Sequence, residues 1–406
     1  MSRIVLGVSA GIAAYKAASV LRRLAEAGHE IEVVPTPASL NFVGATTWAA
    51  LSGRPVHTEV FAEADQVNHV RIGREADLVL VAPATADLLA RAASGRADDL
   101  LTNVLLTARC PVMFAPAMHT EMWLHPATQH NVATLRSRGV VVLDPAVGRL
   151  TGPDSGPGRL PEPEDIAATA LALLESPTLA SALSRQDLAG RRVVISAGGT
   201  HERIDPVRFV GNASSGRMGV ALARAAAARG AEVTLVAANL SVPAPSGVRL
   251  HTVVSAAELA AAMHQAAVDA EVIVMAAAVA DYAPAQSTPD KIKKDHAEAL
   301  HLELTQTPDV LAELVAARPT AQVIVGFAAE TAADPGQLLD LARAKRARKG
   351  CQVLVANDVT DGAVFGAETN QGFILTDTTA VPFAGSKLSV AHAILDAVVA
   401  STERKM

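Results

Sequence analysis

Residues 191–236 read RRVVISAGGTHERIDPVRFVGNASSGRMGVALARAAAARGAEVTLV, and this stretch decides the fold. A short apolar run, Val193–Ser196, ends at a glycine turn; a polar loop, a helix predicted over Met218–Ala227 and a second apolar run, Glu232–Val236, follow. Together they predict a β-α-β unit, whose loop would lie at the carboxyl ends of parallel strands, where open sheets bind ligands. The glycines allow a ligand close to the backbone, and the free N–H groups at the helix start favour an anion.

A simpler interpretation is that the glycine turn only joins two elements. The spacing is not the dinucleotide pattern G-x-G-x-x-G, and no Walker lysine follows it. Taken alone, the glycines therefore favour a plain turn over a phosphate site.

Length and composition extend the α/β pattern to the whole chain. A chain of 406 residues is too long for one ordinary core, and two domains are expected. Hydrophobic residues make up 50 % of the chain and aromatic residues 3 %, so the cores must be built from Ala, Val and Leu. This composition is typical of parallel strands buried on both faces. We therefore predict an α/β fold with two doubly wound, Rossmann-like domains.

Charge and cysteine content restrict the classes of function. The formal net charge is −6, from 35 basic and 41 acidic residues, which argues against a basic field for nucleic acid and a polybasic membrane patch. No apolar stretch approaches the roughly 20 residues of a membrane span. Two cysteines are too few for a disulfide framework. The sequence predicts a cytoplasmic protein that acts on small molecules, without nucleic-acid or membrane partners.

The first half opens with a β-α-β unit of its own. Its elements are predicted at Arg3–Val8, Ile12–Ala27 and Glu30–Val34. A later apolar helix is followed by a segment without any strand pattern. We therefore predict a first domain over residues 1–176, a linker over residues 177–190 and a second domain over residues 191–406.

Polar residues follow predicted strands in four loops of the first half, at Ser9 with Gly11, His69, Thr85 with Asp87, and Pro116–Trp123. A lone histidine is more often a surface residue or an already hydrogen-bonded one than a catalytic group. The segment PAMHTEMW, Pro116–Trp123, suits the edge of a flat aromatic ligand. A hydrophobic plug would have the same spacing, so both interpretations stay open on spacing alone.

The second half has its own polar candidates. Asn212 and Arg208 belong to the loop before the predicted helix, where a guanidinium can hold a carboxylate or phosphate but an asparagine is often purely structural. Asp281 follows a predicted strand, and three lysines come after it, at Lys291, Lys293 and Lys294. A lysine run is usually a solvated surface, although three cations beside an alanine-rich loop also suit a triphosphate.

Several separate motifs bear on these alternatives. GVSAGIAAYK (7–16), VNHVRI (67–72), APATADLLARAASGRADDLL (82–101) and PAMHTEMW (116–123) resemble the flavin-dependent cysteine decarboxylases. The second half resembles phosphopantothenate–cysteine ligase. Almost end to end, the chain is similar to the bacterial family of bifunctional coenzyme A biosynthesis proteins that fuses the two activities. The resemblance implies a flavodoxin-like flavoprotein domain followed by a Rossmann-like ligase domain.

For the first domain, the resemblance implies FMN as the cofactor, held near Ser9, Gly11, Thr85 and Met118, with His69 as a catalytic residue. FMN would oxidise the cysteine thiol of 4′-phosphopantothenoylcysteine so that the neighbouring carboxylate can leave as CO₂. The reduced flavin would then return its electrons, and 4′-phosphopantetheine would be the product.

Two residues depart from the family pattern. His119 replaces the asparagine that holds the substrate carboxylate, and an imidazole can still donate a hydrogen bond there. Thr151, which is expected to be catalytic, replaces a cysteine that donates a proton to the reduced intermediate. Because a hydroxyl is a much weaker acid than a thiol, the departure implies proton transfer through water or another group, or a slow or altered reaction.

For the second domain, the resemblance implies a CTP-dependent ligase that requires Mg²⁺, with Asn212 and Arg208 as catalytic residues. The carboxylate of 4′-phosphopantothenate would attack CTP to give an acyl cytidylate and pyrophosphate, and the amine of cysteine would displace CMP. The implied substrate contacts are Met275, Ala276, Ala277, Asp281, Lys291, Pro308, Asp309, Val310, Leu311, Phe327, Lys345 and Lys349. The Mg²⁺ ligands are not identified.

Two other functions are considered. An NAD(P)-dependent oxidoreductase would fit two Rossmann-like halves, but the full glycine fingerprint and its acidic partner are missing. A ligase fused to a flavin domain with impaired decarboxylation is the second alternative, because of Thr151. The resemblance also implies a homo-oligomer, in which trimeric flavin domains and dimeric ligase domains combine into a dodecamer.

Overall fold

The computed structural model describes residues 1–59, 67–150, 154–293, 300–360 and 366–403. The chain divides into two compact units, Met1–Asp187 and Leu188–Met406. Two residues named above, Thr151 and Lys294, lie outside the described residues. The segment predicted as a linker, 177–190, contains a helix, Leu179–Arg185. The division between the two units lies in this segment, after the helix, between Asp187 and Leu188.

The first unit is a five-stranded parallel sheet with helices packed around it. Its strands are β1 Arg3–Val8, β2 Glu30–Pro35, β3 Leu78–Ala84, β4 Val112–Pro116, β5 Val141–Val142, β6 Ala146–Arg149 and β7 Ser155–Arg159. Its helices are α1 Ala14–Glu26, α2 Ala45–Ser52, α3 Asn68–Glu75, α4 Ala86–Ser94, α5 Leu100–Thr107, α6 Thr120–Leu124, α7 Pro126–Ser137, α8 Pro163–Glu175 and α9 Leu179–Arg185, with a 3₁₀ turn at Pro37–Asn41. The sheet order is β2-β1-β3-β4-β5, while β6 and β7 form a separate antiparallel hairpin.

The second unit has an eight-stranded sheet of order β12-β11-β8-β13-β16-β17-β18-β19, in which the last two strands are antiparallel. The strands of the unit are β8 Arg192–Gly198, β9 His201–Arg203, β10 Phe209–Gly211, β11 Glu232–Ala238, β12 Arg249–Val253, β13 Val272–Met275, β14 Tyr282–Pro284, β15 Leu304–Gln306, β16 Val323–Glu330, β17 Val353–Asp358, β18 Thr369–Leu375 and β19 Ala380–Ser386. Its helices are α10 Arg217–Ala228, α11 Ala256–Ala267, α12 Val310–Ala317, α13 Pro335–Lys349 and α14 Lys387–Glu403.

Central strands of both sheets are buried on both faces. Every residue of β3 is buried, and β8 is buried from Val193 onward. Because a strand covered on both sides cannot alternate polar and apolar residues, it reads as a continuous Val, Ile, Leu and Ala run. This confirms the predicted α/β class with parallel sheets. None of the helices in the described parts of the chain is both long enough and apolar enough to span a membrane.

Two local predictions were wrong. His69 was predicted in a loop after a strand, but it lies in the first turn of α3. The residue before this helix, Val67, has a left-handed backbone conformation with φ 46°. The glycine and proline content of residues 148–163 predicts a loop, yet residues 148–149 and 155–159 belong to the paired strands β6 and β7. Backbone pairing needs no particular side chains, so glycine-rich sequence does not exclude it.

A buried histidine on α14 gives the second unit a pH-dependent stability. His392 is 3 % exposed, and both of its ring nitrogens lack hydrogen-bond partners among the described residues. Burial first, and then the charge of Arg229, which is 1 % exposed, lower the pKa of His392 to about 3. The folded protein therefore keeps this imidazole neutral below pH 6.5, where the unfolded chain binds a proton.

We expect His392→Leu to remove this acid sensitivity. As the pH falls from about 6.5 toward 3, the unfolded chain binds a proton at His392 that the folded protein does not bind. The free energy of unfolding therefore decreases, by about 2 kcal/mol between pH 7 and pH 5. Hydrogen exchange of α10 and α14 peptides, corrected for intrinsic rates, should show a smaller loss of protection at pH 5 in the variant. His251→Leu, at an exposed position on β12, is the control. Equal pH dependence in His392→Leu and the parent would contradict this account.

Candidate active sites

The first unit contains a cavity of about 640 Å³ beside the ends of β1, β3 and β4. Among the predicted site residues, Gly11, Thr85, Met118 and His119 line it. Its other lining residues include the apolar side chains of Ile12, Met122, Leu150 and Leu160. The volume is within the range of ligand sites, and an apolar wall with a few polar groups suits a flat ring system. The residues present therefore fit a flavin.

Ser9 was predicted to lie near FMN, together with Gly11, Thr85 and Met118. Its side chain is 1 % exposed, and it does not line the cavity. The Ser9 hydroxyl donates to the Pro83 carbonyl at 2.7 Å and accepts from the Thr85 N–H at 2.9 Å. Ser9 therefore ties the end of β1 to the loop after β3. Thr85 in turn caps α4, where its hydroxyl accepts from the Leu88 N–H.

The hairpin β6–β7 packs against the segment that carries Met118 and His119. The Met118 N–H donates to the Gly158 carbonyl at 2.9 Å. A Cβ at Gly158 would lie 2.3 Å from the Met118 carbonyl oxygen, and φ at Gly158 is +151°. Only glycine allows this approach, so the hairpin and the PAMH segment form one wall of the cavity.

His69 lies outside the lining of that cavity. Its carbonyl accepts a hydrogen bond of 2.8 Å from the Thr107 hydroxyl on α5, which fixes the first turn of α3. The side chain is half-buried, and Nδ1 is buried without a hydrogen-bond partner among the described residues. An unsatisfied ring nitrogen on a rigid turn is suited to bind or exchange a proton with a ligand.

The second unit contains a cavity of about 740 Å³ at the carboxyl ends of its central parallel strands. Most of the predicted ligase residues line it, and they come from six separate segments. They are Asn212, Met275, Ala276, Ala277, Asp281, Pro308, Asp309, Val310, Leu311, Phe327, Lys345 and Lys349. Arg208 and Lys291 do not line it. The sheet order explains the convergence, because β8, β13, β16 and β17 are neighbours.

The start of α10 forms one side of this cavity. Ser214, Ser215 and Gly216 line it, and the two serine hydroxyls accept from the N–H groups of Gly216 and Arg217 at 3.3 and 3.5 Å. Gly216 itself has φ +77°. The expected helix start at the cavity is therefore present, and its first N–H groups are partly satisfied by the serines.

Gly219 lets α10 pack directly on β8. A Cβ there would lie 2.4 Å from the Ala197 Cβ and 2.9 Å from the Ser196 carbonyl oxygen. We expect Gly219→Ala to lower stability by about 1–3 kcal/mol, because overpacking outweighs the gain of about 1 kcal/mol in helix propensity. Thermal unfolding checks this, and a more stable Gly219→Ala would show that the contact relaxes freely.

Asp205 connects Arg208 to the segment that carries Lys291 and Lys293, called the lysine loop below. Its carboxylate is fully buried and accepts from the N–H groups of Val207, Arg208 and Ile292 at 2.7, 2.7 and 3.2 Å. Burial acts to raise the pKa of Asp205, but these N–H groups and the Arg208 guanidinium hold it below the ordinary value. Arg208 also donates to the Ile292 carbonyl at 3.1 Å. Arg208 and Lys291 are thus adjacent, although neither lines the cavity.

The two predicted substrate contacts on α13, Lys345 and Lys349, are both paired with carboxylates. Lys345 Nζ lies 2.9 Å from Glu330 Oε1, and Lys349 forms an ion pair with Asp309. Asp309 caps α12 by accepting from the Ala312 N–H at 3.1 Å. Burial acts to raise the pKa of Asp309, whereas the Lys349 hydrogen bond and this N–H keep it lower than usual. The lysines therefore lie on one face of α13 beside the start of α12.

Several polar lining residues were not predicted from the sequence, and three of them are Asn357, Asn370 and Lys387. Asn370 is 4 % exposed, and its Nδ2 donates to Asn357 Oδ1 at 3.1 Å. Lys387 Nζ donates to the Thr369 carbonyl at 3.0 Å, and burial lowers its pKa. Of the three, only Asn357 could have been noticed, since Asn357 and Asp358 end an apolar run. Across the described ranges, no three or more His, Cys, Asp or Glu side chains are grouped to hold a metal ion.

Comparisons with known proteins cover both units. The flavoprotein family matches residues 1–197, and the DNA/pantothenate metabolism flavoprotein C-terminal domain matches residues 188–402. The coenzyme A biosynthesis bifunctional protein CoaBC of Mycolicibacterium smegmatis is 56 % identical over 406 residues, 98 % of this chain and 97 % of that protein. The chain belongs to the CoaBC family. The CoaBC protein of Escherichia coli K12 is 41 % identical over 362 residues, 88 % of this chain and 86 % of that protein.

Membership of the CoaBC family makes the chain a bifunctional enzyme of coenzyme A biosynthesis that combines ligase and decarboxylase activities. This membership sets the oxidoreductase alternative aside. The first unit is a flavoprotein domain. A crystal structure of the C-terminal domain of a CoaBC protein is 32 % identical and covers 54 % of this chain and 99 % of that chain, with a TM-score of 0.45.

Proposed function

We propose that the C-terminal unit makes 4′-phosphopantothenoylcysteine from 4′-phosphopantothenate, cysteine and CTP. The observation that carries this proposal is the 740 Å³ cavity, which gathers Asn212, the start of α10 and the two lysines of α13. A carboxylate that attacks the α-phosphorus of CTP forms an acyl cytidylate and releases pyrophosphate; the amine of cysteine then displaces CMP. Such displacement depends mainly on positioning and on neutralising phosphate charge, which lysines supply.

Mg²⁺ is part of this proposal. Protein sites usually hold Mg²⁺ through one or two carboxylates together with substrate phosphates, so Asp281 and Asp309 at the cavity wall are the candidate protein ligands. When bound, the ion would neutralise triphosphate charge beside Lys345 and Lys349.

The N-terminal unit is proposed to hold FMN and to decarboxylate the ligase product to 4′-phosphopantetheine. Gly11, Thr85 and Met118 would contact the flavin, which supplies reversible two-electron chemistry when bound. His119 would donate a hydrogen bond to the substrate carboxylate, and His69 would exchange a proton with the substrate. Thr151, where the family has a cysteine, is proposed as a catalytic residue whose hydroxyl relays a proton from water. We also propose a cytoplasmic homo-oligomer built from trimers and dimers.

A single reaction mixture tests both halves. The full chain is given 4′-phosphopantothenate, cysteine, CTP and Mg²⁺, and pyrophosphate, CMP and CO₂ are measured separately, with the visible absorbance of the purified protein recorded for FMN. We expect equal amounts of the three products and a flavin spectrum. Pyrophosphate and CMP without CO₂ would indicate an impaired decarboxylase, whereas no CTP-dependent pyrophosphate would overturn the ligase assignment.

Replacing the lysines of α13 should weaken the use of CTP. Lys345→Gln and Lys349→Gln are each expected to raise KM for CTP about tenfold, because each removes a phosphate-facing cation. Arg343→Gln is the matched control, since Arg343 is exposed on the same helix and pairs with Asp340. Pyrophosphate release at varied CTP measures the effect. If KM stays at the parent value, the two lysines serve only their ion pairs with Glu330 and Asp309.

A further inference from the structure

Three cations line the same cavity as the proposed flavin contacts. Lys16 lies on α1, while Arg149 and Arg159 lie on the paired strands β6 and β7. The carboxylate of Glu162, just before α8, lies among them. Neither the flavin contacts nor the proton transfers described above use these four side chains.

Lys16 and Arg159 share one carboxylate. Lys16 Nζ is 3.6 Å from Glu162 Oε2, and Arg159 forms an ion pair with the other oxygen of the same group. One negative charge therefore faces two positive ones. The Arg159 Nε is buried and has no hydrogen-bond partner among the described residues. Because an unsatisfied buried donor is costly, this guanidinium is suited to an additional anionic partner.

The charge of the cluster matches one class of ligand. Lys16 and Arg159 together carry one positive charge more than Glu162 neutralises, and Arg149 lines the same cavity. Such a cationic wall suits a phosphate monoester, which has a charge of about −1.5 to −2 at pH 7. We propose that Lys16, Arg149 and Arg159 bind the 4′-phosphate of the decarboxylase substrate. This inference rests on the decarboxylase function proposed above and identifies how the site selects the phosphorylated substrate.

The phosphate of the flavin has the same chemistry, but the cluster fits it less well. Glu162 competes with any anion for Lys16 and Arg159, which favours a group that binds and leaves in every turnover. A permanently held cofactor phosphate is better served by neutral N–H groups at helix starts. The starts of α1 and α4, next to Gly11 and Thr85, offer such groups in this cavity.

The test compares two substrates that differ only in the phosphate. CO₂ release by the FMN-loaded full chain is measured with 4′-phosphopantothenoylcysteine and with pantothenoylcysteine. Lys16→Gln and Arg159→Gln should each raise KM for the phosphorylated substrate about tenfold and leave KM for the other within about twofold. Glu162→Gln should lower KM for the phosphorylated substrate only. Arg23→Gln, which breaks the corresponding pair between α1 and Glu164 outside the cavity, should change neither value.

Each other outcome overturns the inference in a distinct way. Equal effects on both substrates would make the cluster structural, and loss of flavin absorbance in Lys16→Gln or Arg159→Gln would assign it to the FMN phosphate. Unchanged KM for the phosphorylated substrate would exclude these cations from binding it. Failure of the parent protein to release CO₂ from either substrate would instead contradict the proposed decarboxylase function itself.

Discussion

His69→Asn is expected to reduce CO₂ release at least about a hundredfold, because asparagine cannot exchange a proton as imidazole does. Pyrophosphate and CMP should form at the parent rate, since His69 belongs to the first unit and the proposed ligase residues to the second. Flavin absorbance should stay unchanged, because the proposed flavin contacts are Gly11, Thr85 and Met118 and not His69. Asparagine also keeps the turn, since the contact with Thr107 uses the His69 carbonyl and not its ring.

The control for this substitution is His130→Asn. His130 is exposed on α7 of the same unit, so its replacement should leave all three products unchanged. Full CO₂ release by His69→Asn would remove His69 from the catalytic residues. Loss of flavin together with CO₂ would point instead to a structural role for the first turn of α3.

The position of His69 also bears on the proposed trimer. Because the side chain lies outside the cavity of its own chain, we expect it to act in the cavity of a second copy. Mixed oligomers of His69→Asn with Gly158→Ala, which would block the hairpin contact with Met118, should then regain part of the activity that each lacks alone. No recovery in the mixture would favour action within one chain.

The elements that could be predicted from the sequence are those whose patterns are local. The apolar run before Gly198 and the Ala-rich run after Gly216 gave β8 and α10 to within two residues. Both depend on neighbouring residues only: a strand covered on both faces is uniformly apolar, and a helix of alanines has high propensity. Those lining residues of each cavity that were predicted came from family motifs and could not be derived from spacing.

What could not be predicted depends on contacts between distant segments. Ser9 looked like a ligand contact, but its hydroxyl is used by Pro83 and Thr85, some 75 residues away. Asp205 was not recognised as the anchor of the lysine loop, because its partner Ile292 is 87 residues away. The link from Asn370 to Asn357 crosses two antiparallel strands. No periodicity in a single segment encodes such pairs.

Asn212→Asp should have the largest effect on the ligase. We expect it to reduce CMP release about 10²- to 10³-fold, with pyrophosphate formation much less affected, because the proposed role of Asn212 is in consuming the acyl cytidylate. The structure adds a second reason for a defect. Asn212 Nδ2 donates to the Val279 carbonyl at 2.9 Å, and a carboxylate in its place would repel that oxygen.

These two causes predict different measurements. Loss of the hydrogen bond alone should cost about 1 kcal/mol of stability and slow both half-reactions together. A role in the second step should instead let the acyl cytidylate accumulate, as pyrophosphate released without CMP. A rapid-quench experiment with CTP and 4′-phosphopantothenate, before and after cysteine is added, separates the two.

Asn239→Asp provides the matched control for Asn212→Asp. Asn239 has φ +49°, and its Nδ2 donates to the carbonyls of Gly199 and Val254 at 2.9 and 3.0 Å, so it holds the turn at Gly199 without lining the cavity. Its replacement should lower the melting temperature more than Asn212→Asp does, and it should slow both half-reactions equally. If Asn212→Asp behaves in the same way, with no accumulated intermediate, Asn212 is a structural turn residue and the chemistry of the second step belongs to another side chain of the cavity.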